Sequence, residues 1–163
     1  MAASSAPRLS LVTAGSAEGL AWCQALGAEG VVNYKTRDVD GAVAEFAPGG
    51  VDVDWDTSGR PDFDQAVARL ARRGRVVVMA GLTAQPPFPV GPFYLKDCAL
   101  HGFAVTNASE AELCAAADEI NQWLAQGRVK VRIDRVLPLS EAAQAHRLVE
   151  EHEPLAGKIV LTS

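Results

Sequence analysis

One stretch of this chain, residues 51–82, constrains the fold more than any other. Apolar residues alternate with aspartates over 51–56, a helical run follows over 62–72, and a short apolar run at 76–79 ends at another small-residue turn. Two strands joined by one helix predict a right-handed crossover and therefore a parallel sheet. Because open parallel sheets bind ligands outside the carboxyl ends of their strands, a site is expected at these two turns.

The rest of the chain repeats the same alternation of strand and helix, with a strand about every 20 residues, as in layered α/β domains. Four prolines within residues 82–97 predict a long loop without regular structure. Ser16, Ser109 and Ser140 are expected to cap helices. The predicted strands cover residues 8–13, 31–34, 51–56, 76–79, 98–105, 136–137 and 158–161, and the predicted helices cover 16–26, 38–46, 62–72, 110–126 and 140–151.

Composition bounds the class of protein. The 163 residues are 48% hydrophobic, which predicts one packed domain over residues 8–163 behind a disordered tail at 1–7. A net charge of −5 argues against a nucleic-acid surface. Neither a secretory signal nor an apolar run long enough to span a membrane is present. Three widely spaced cysteines without a CxxC pair predict reduced thiols, a cytoplasmic protein and no metal site.

The turn after the first predicted strand carries information about ligand chemistry. Neither a GxGxxG fingerprint nor a Gly-Lys-Ser/Thr phosphate loop occurs in the chain. Strand ends that bind the ribose hydroxyls of NAD usually carry Asp or Glu, whereas residues 13–16 contain no carboxylate. The hydroxyl of Ser16, at a helix N-terminus, would instead suit a 2′-phosphate. A plain helix N-cap also fits Ser16, and both interpretations stay open.

Other side chains also have two interpretations at this point. Tyr34, after the second strand, fits the wall of a site or a core aromatic equally well. Lys158 by itself fits a solvated lysine. Asp54, in the middle of a predicted buried strand, has no obvious partner, although burying an unpaired carboxylate is costly. The three histidines fit structural or surface positions, and they are His101, His146 and His152.

Short motifs occur along the chain at residues 13–16, 26–28, 32–34, 50–52, 56–59 and 74–76, and then at 95–96, 100–103, 132–139, 145–146 and 157–161. Their order and spacing resemble the cofactor half of medium-chain dehydrogenase/reductases. The most similar branch is that of the zinc-independent NADPH:quinone oxidoreductases. The resemblance covers the chain from about Arg8 onward. It implies an α/β fold with a Rossmann-like, doubly wound, mostly parallel sheet.

The resemblance also implies a site for NADP(H). In that family Ser16, Tyr34 and a lysine three residues after the serine would hold the 2′-phosphate. That third position is Gly19 here, which implies weak binding unless Lys35 or Lys158 compensates. Lys158 matches a position that often faces the cofactor. The path from adenine to nicotinamide would be lined by Ser58, Gly59, Gly81, Leu82 and Phe103.

The same resemblance implies that the domain is truncated. Relatives carry an N-terminal catalytic domain, a first strand and a glycine-rich loop ahead of the residues matched here. In the strand order 3-2-1-4-5-6, the first strand would lie between the strands at 8–13 and 51–56. Either those two strands pair directly, or another segment fills the gap. The apolar edge strand that runs from Leu100 to Val105 would pair across a homodimer.

Three hypotheses about function follow. The first is the cofactor portion of an NADPH-dependent quinone or enone oxidoreductase that transfers hydride without a metal. It would be catalytically incomplete, because no residue of this chain is assigned as a catalytic acid or base. The second is a non-catalytic dimerisation or nucleotide-sensing module. The third is a misplaced start codon or a split gene.

Overall fold

The computed structural model of the chain describes residues 9–151 and 157–163. The predicted tail at 1–7 and His152 lie outside the described residues. The chain divides into two compact units, one ending at Ala108 and the other beginning at Ser109. Within the described part, no helix combines the length and the apolar character that a membrane span requires.

The first unit alternates strands and helices, and side-chain caps start its first three helices. Ser16, Asp38 and Asp62 each accept hydrogen bonds from free backbone N–H groups in the first turn of the helix that follows. The elements in chain order are β1 (Leu11–Ala14), α1 (Ala17–Ala25), β2 (Gly30–Asn33), α2 (Val39–Phe46), β3 (Val51–Asp56), α3 (Phe63–Arg69), β4 (Leu70–Val78), α4 (Val90–Leu95), β5 (Ala99–Gly102) and a 3₁₀ turn (Val105–Asn107).

Every strand pair in this unit is parallel, which confirms the predicted α/β class. β1 pairs with β2, while β3, β4 and β5 form a separate sheet in that order. Among the described residues β1 and β3 do not pair, so the direct pairing considered as one alternative does not occur.

The core of the first unit lies between α3 and its sheet. Ala66, Leu70 and Val76 form a buried cluster, and Val51, Phe63, Val78 and Cys98 pack around it. The register pairs Asp54 with Val76 and Trp55 with Val77, so successive residues of β3 face opposite sides of the sheet. On the side away from α3, Trp55 is 64% exposed and Val53 is 41% exposed.

The second unit contains one long helix and a strand–helix–strand crossover. Its elements are α5 (Glu110–Ala125), β6 (Ile133–Pro138), a 3₁₀ turn (Leu139–Glu141), α6 (Ala142–Glu150) and β7 (Lys158–Thr162). Ser109 and Glu112 form a reciprocal capping box at the start of α5, as the predicted Ser109 cap requires. β6 and β7 pair in parallel.

Two predicted boundaries were wrong. The helix expected over 62–72 ends at Arg69, because Leu70 adopts an extended conformation and enters the core as the first residue of β4. Lys96 then satisfies the end of α3, since its ammonium donates to the carbonyl oxygens of residues 67, 68 and 70 at 2.9 Å each. The strand expected over 98–105 is shorter, because Val105 already begins a 3₁₀ turn.

Two local predictions failed for reasons of proline and capping geometry. The loop expected over 82–97 contains α4, whose first turn includes Pro92 and whose N-cap is Pro89. Proline is tolerated there because the first turn of a helix has no hydrogen-bond acceptor for its N–H groups. Ser140 lies in a 3₁₀ turn and does not cap α6, which begins after Glu141.

The structure explains Asp54, for which the sequence offered no partner. Arg69 of α3 lies between two aspartates: its Nη1 is 3.6 Å from Asp54 Oδ2, and its Nε donates to Asp40 Oδ1 of α2 at 2.5 Å. Gln65 accepts a third bond from Arg69 at 2.7 Å. Burial raises the pKa of Asp54, and the charge of Arg69 opposes that rise.

Replacing Asp54 by asparagine tests this assignment through the pH dependence of stability. Because the pKa of Asp54 is raised in the folded chain, wild-type stability falls as pH increases from the unfolded pKa of about 3.9 through the folded pKa. Asp54→Asn cannot ionise. Its free energy of unfolding should therefore rise relative to wild type across that window, by about 1.4 kcal/mol per unit of pKa elevation, and then level off.

Urea unfolding at a series of pH values measures the difference. Asp118→Asn, which removes an exposed carboxylate from α5, gives the baseline for losing one negative charge. A gap between Asp54→Asn and wild type that stays flat, or that shrinks as pH rises, would contradict the assignment.

Candidate functional site

The carboxyl ends of β1 and β2 bring two pairs of consecutive residues together, 15–16 and 34–35. The last register pair is Ala14 with Asn33, and the N–H of Tyr34 donates to the carbonyl oxygen of Ala14 at 3.3 Å. The turns 15–16 and 34–35 therefore lie side by side. A Cβ added to Gly15 would lie 2.6 Å from Tyr34 Oη and 3.0 Å from Lys35 Cε, so a larger residue there would displace the ends of both side chains.

Ser16 and Tyr34 line the surface of this strand end. Ser16 Oγ accepts from the N–H of Gly19 at 3.1 Å, so it is the N-cap of α1, as one of its two interpretations predicted. Tyr34 is 55% exposed, so it is not a core aromatic, and its place in the wall of a site stays a prediction. The backbone N–H of Lys35 donates to Asn33 Oδ1 at 3.0 Å, which fixes the start of the turn.

The carboxyl ends of β3, β4 and β5 bring the second group of predicted residues together. Asp56 pairs with Val78, Val78 pairs with Gly102, and the N–H of Phe103 donates to the carbonyl oxygen of Val78 at 3.0 Å. Ser58 starts the first turn, with its N–H donating to Asp56 Oδ1 at 2.6 Å.

The turns after β3 and β4 touch each other at two glycines. Gly59 and Gly81 have φ values of 76° and 98°, and a Cβ on Gly81 would lie 3.0 Å from the carbonyl oxygen of Gly59. Leu82 next to this contact is fully exposed, and Phe103 is also exposed. The edge therefore offers bare backbone flanked by apolar side chains, a surface that suits a flat ligand.

Lys158 belongs to the second unit. It is the first residue of β7, its N–H donates to the carbonyl oxygen of Arg132 at 2.8 Å, and its side chain is exposed. The structure thus groups Ser16 with Tyr34, and Ser58 with Gly59, Gly81, Leu82 and Phe103, within the first unit.

Two contributors to the first group were not among the predicted site residues. Because Gly15 has no side chain, Tyr34 and Lys35 can lie over it. The sequence signal for this position was a glycine directly after a predicted strand. Lys35 was considered only as compensation for Gly19. Its position beside Gly15 depends on the pairing of β1 with β2, which is a contact between residues far apart in sequence.

The chemistry available at this edge is that of binding. Lys35 forms no ion pair with the residues at 9–151 and 157–163. A cation, a phenol and a helix N-terminus can together hold a phosphate group. In the same described ranges, no three His, Cys, Asp or Glu side chains are grouped so that they could hold a metal ion.

Comparison with known proteins identifies the family of the chain. A family model described as "Zinc-binding dehydrogenase" matches residues 26–161. A probable quinone oxidoreductase of Leishmania amazonensis is 29% identical over 135 residues, covering 76% of this chain and 39% of that protein. The chain spans about two fifths of the length of such curated relatives.

Solved structures share the fold. An NAD-dependent alcohol dehydrogenase has a TM-score of 0.76 at 29% identity, covering 94% of this chain and 43% of that one. A quinone oxidoreductase of Pseudomonas syringae pv. Tomato DC3000 also has a TM-score of 0.76, at 25% identity, covering 94% of this chain and 48% of that one.

Substituting Gly81 by alanine tests the contact between the two turns. A side chain in this left-handed conformation costs about 1–2 kcal/mol, and the added Cβ also crowds the Gly59 carbonyl oxygen. Gly81→Ala should therefore lower the free energy of unfolding by at least about 1 kcal/mol. The measurement is urea unfolding at neutral pH.

Gly91→Ala is the matched control. Gly91 lies in α4 with open space around its Cβ position, and alanine favours a helix by up to about 1 kcal/mol. Equal stability of Gly81→Ala and wild type would contradict the described geometry.

Proposed function

We propose, from the premise that this chain belongs to the zinc-binding dehydrogenase family and to the quinone-oxidoreductase-like branch of medium-chain dehydrogenase/reductases, that it binds the cofactor of an NADPH-dependent oxidoreductase. The family implies a nicotinamide cofactor in general. The preference for NADP(H), and a quinone or an enone as hydride acceptor, are the finer parts of the proposal.

The observation that carries the proposal is the group at the ends of β1 and β2. Tyr34 and Lys35 lie over Gly15, the residue next to Ser16, and residues 13–16 contain no carboxylate that would accept bonds from ribose hydroxyls. A 2′-phosphate suits this group better than a 2′-hydroxyl, because the group supplies positive charge and donors. This supports NADP(H) over NAD(H).

The second group supports the position of the rest of the cofactor. Gly59 and Gly81 leave backbone uncovered, so a planar group can approach the strand ends closely. Leu82 and Phe103 offer exposed apolar surface that would exclude water from one side of the ring. The bound nicotinamide supplies the hydride chemistry. We assign no catalytic acid or base to this chain.

The binding place of the hydride acceptor, the homodimer and the cytoplasmic location are further proposals. Relatives are more than twice as long as this chain, so we propose that the acceptor binds mainly to parts of those proteins that the chain does not match. The strand β5 has β4 as its one partner among the described residues, and Leu100 on it is exposed, which supports a homodimer through residues 100–105. The three cysteines are free, which supports a cytoplasmic location.

The same strand edge favours the second candidate, a non-catalytic dimerisation or nucleotide-sensing module. That module and the oxidoreductase portion share the cofactor site and differ in turnover. A binding measurement combined with an activity measurement therefore separates them.

Titration of the purified chain with NADPH and with NADH, followed by nicotinamide fluorescence, tests the cofactor. We expect NADPH to bind about tenfold more tightly, a difference of about 1.4 kcal/mol. Tyr34→Ala should weaken NADPH binding, whereas Tyr94→Ala, which removes an equally exposed tyrosine from α4, should not. Tighter binding of NADH, or no binding of either, would refute the proposal.

The activity arm mixes the chain with NADPH and a benzoquinone. We expect oxidation at the background rate, because we assign no catalytic acid, base or acceptor site to this chain. Turnover in the usual enzyme range of about 1–1,000 s⁻¹ would show that the chain is catalytically complete and would exclude the sensing module.

A further inference from the structure

We infer that Lys35 supplies the positive charge that selects NADP(H), in place of the helix lysine that this chain lacks at Gly19. The inference rests on the proposed function. It moves the source of the charge from the helix α1 to the turn after β2, and it makes Lys35 a specificity-determining residue of this particular chain.

The geometry places the Lys35 side chain over the end of β1. The pairing of Ala14 with Asn33 and the bond from Tyr34 to Ala14 hold the two turns side by side. The Cε atom of Lys35 lies 3.0 Å from the position that a Cβ of Gly15 would occupy. The aliphatic part of the side chain therefore crosses the β2 turn towards Gly15, the residue immediately before the N-cap Ser16.

The position of Gly19 is crowded in this chain. A Cβ built there would lie 3.2 Å from Ser16 Oγ and 3.3 Å from the Cβ of Ala14, which is tighter than ordinary van der Waals contact. The N–H of Gly19 is also the group that donates to Ser16 Oγ in the N-cap of α1. A side chain at this position would require Ser16 Oγ or Ala14 Cβ to shift by a few tenths of an ångström, whereas Lys35 reaches the end of β1 from the turn after β2.

The charge balance around the two turns singles out Lys35. Arg37, two residues further along, is paired with Glu45 at 2.6 Å, whereas Lys35 forms no ion pair within the described ranges. A phosphate bound beside Ser16 and Tyr34 therefore needs a nearby cation whose charge is not already balanced.

Binding of two small nucleotides by the full chain, measured by calorimetry, tests the inference. Adenosine 2′,5′-bisphosphate carries the 2′-phosphate, and 5′-AMP is the matched ligand without it. We expect the wild type to prefer the bisphosphate. Lys35→Met should lower affinity for the bisphosphate about tenfold and leave 5′-AMP unchanged, whereas Lys35→Arg should keep most of the preference.

Arg37→Met is the control, because it removes one positive charge from the same turn but one that Glu45 already balances. It should keep the wild-type preference, and circular dichroism should show all variants folded alike. If the wild type prefers the bisphosphate and Lys35→Met keeps that preference, the role of Lys35 is overturned while the proposed cofactor stands. Equal losses in Lys35→Met and Arg37→Met also overturn it. If the wild type binds neither nucleotide, the proposed function fails, and the inference fails with it.

Discussion

The guanidinium of Arg69 connects parts of the first unit that backbone hydrogen bonds leave separate. β1 and β2 form one sheet, and β3, β4 and β5 form another. The helix α2 packs on the first sheet and against α3, which packs on the second. Arg69 reaches from α3 to Asp40 on α2 and to Asp54 on β3. With side chains of Arg69 and Asp54 that are 20% and 17% exposed, this contact is less screened than a surface ion pair.

That connection has consequences for the candidate site, because each sheet carries one half of it. The group around Gly15 depends on the β1–β2 register, and the glycine contact between residues 59 and 81 depends on the β3–β4 register. Pairing Arg69 with Asp54 also offsets part of the cost of placing a carboxylate on the covered face of β3. Asp54, for which the sequence offered no partner, therefore helps to hold α3 on the sheet.

Local signals predicted most of the elements and the place of the site. Alternating residues in 51–56, helix caps such as Ser16 and Ser109, and small residues at strand ends all depend on neighbours in sequence. The strand–helix–strand unit around α3 and the small residues Ser58, Gly59 and Gly81 at its strand ends were predicted from them, whereas the resemblance to the family assigned Tyr34, Leu82 and Phe103 to the site. The glycine at 59 and the glycine at 81 meet as a consequence of parallel pairing, which the crossover rule already implies.

The features that sequence reasoning missed depend on contacts between distant residues. Arg69 and Asp40 are 29 positions apart, so no local pattern connects them. Leu70 does not continue α3, because its side chain is buried in the core. Intrinsic helix propensity does not include such a tertiary contact. The helix α4 was missed because its prolines were counted as breakers without regard to their place in the first turn.

We propose that the ends of β1 and β2 bind the adenosine-phosphate end of a nicotinamide cofactor. Amide NMR spectra of the isotope-labelled chain, recorded during a titration with NADP⁺, locate the binding residues independently of turnover. We expect the largest shifts on Gly15, Ser16, Tyr34 and Lys35. Shifts confined to residues of α2 and α3, or no shifts at saturating cofactor, would exclude binding at this edge.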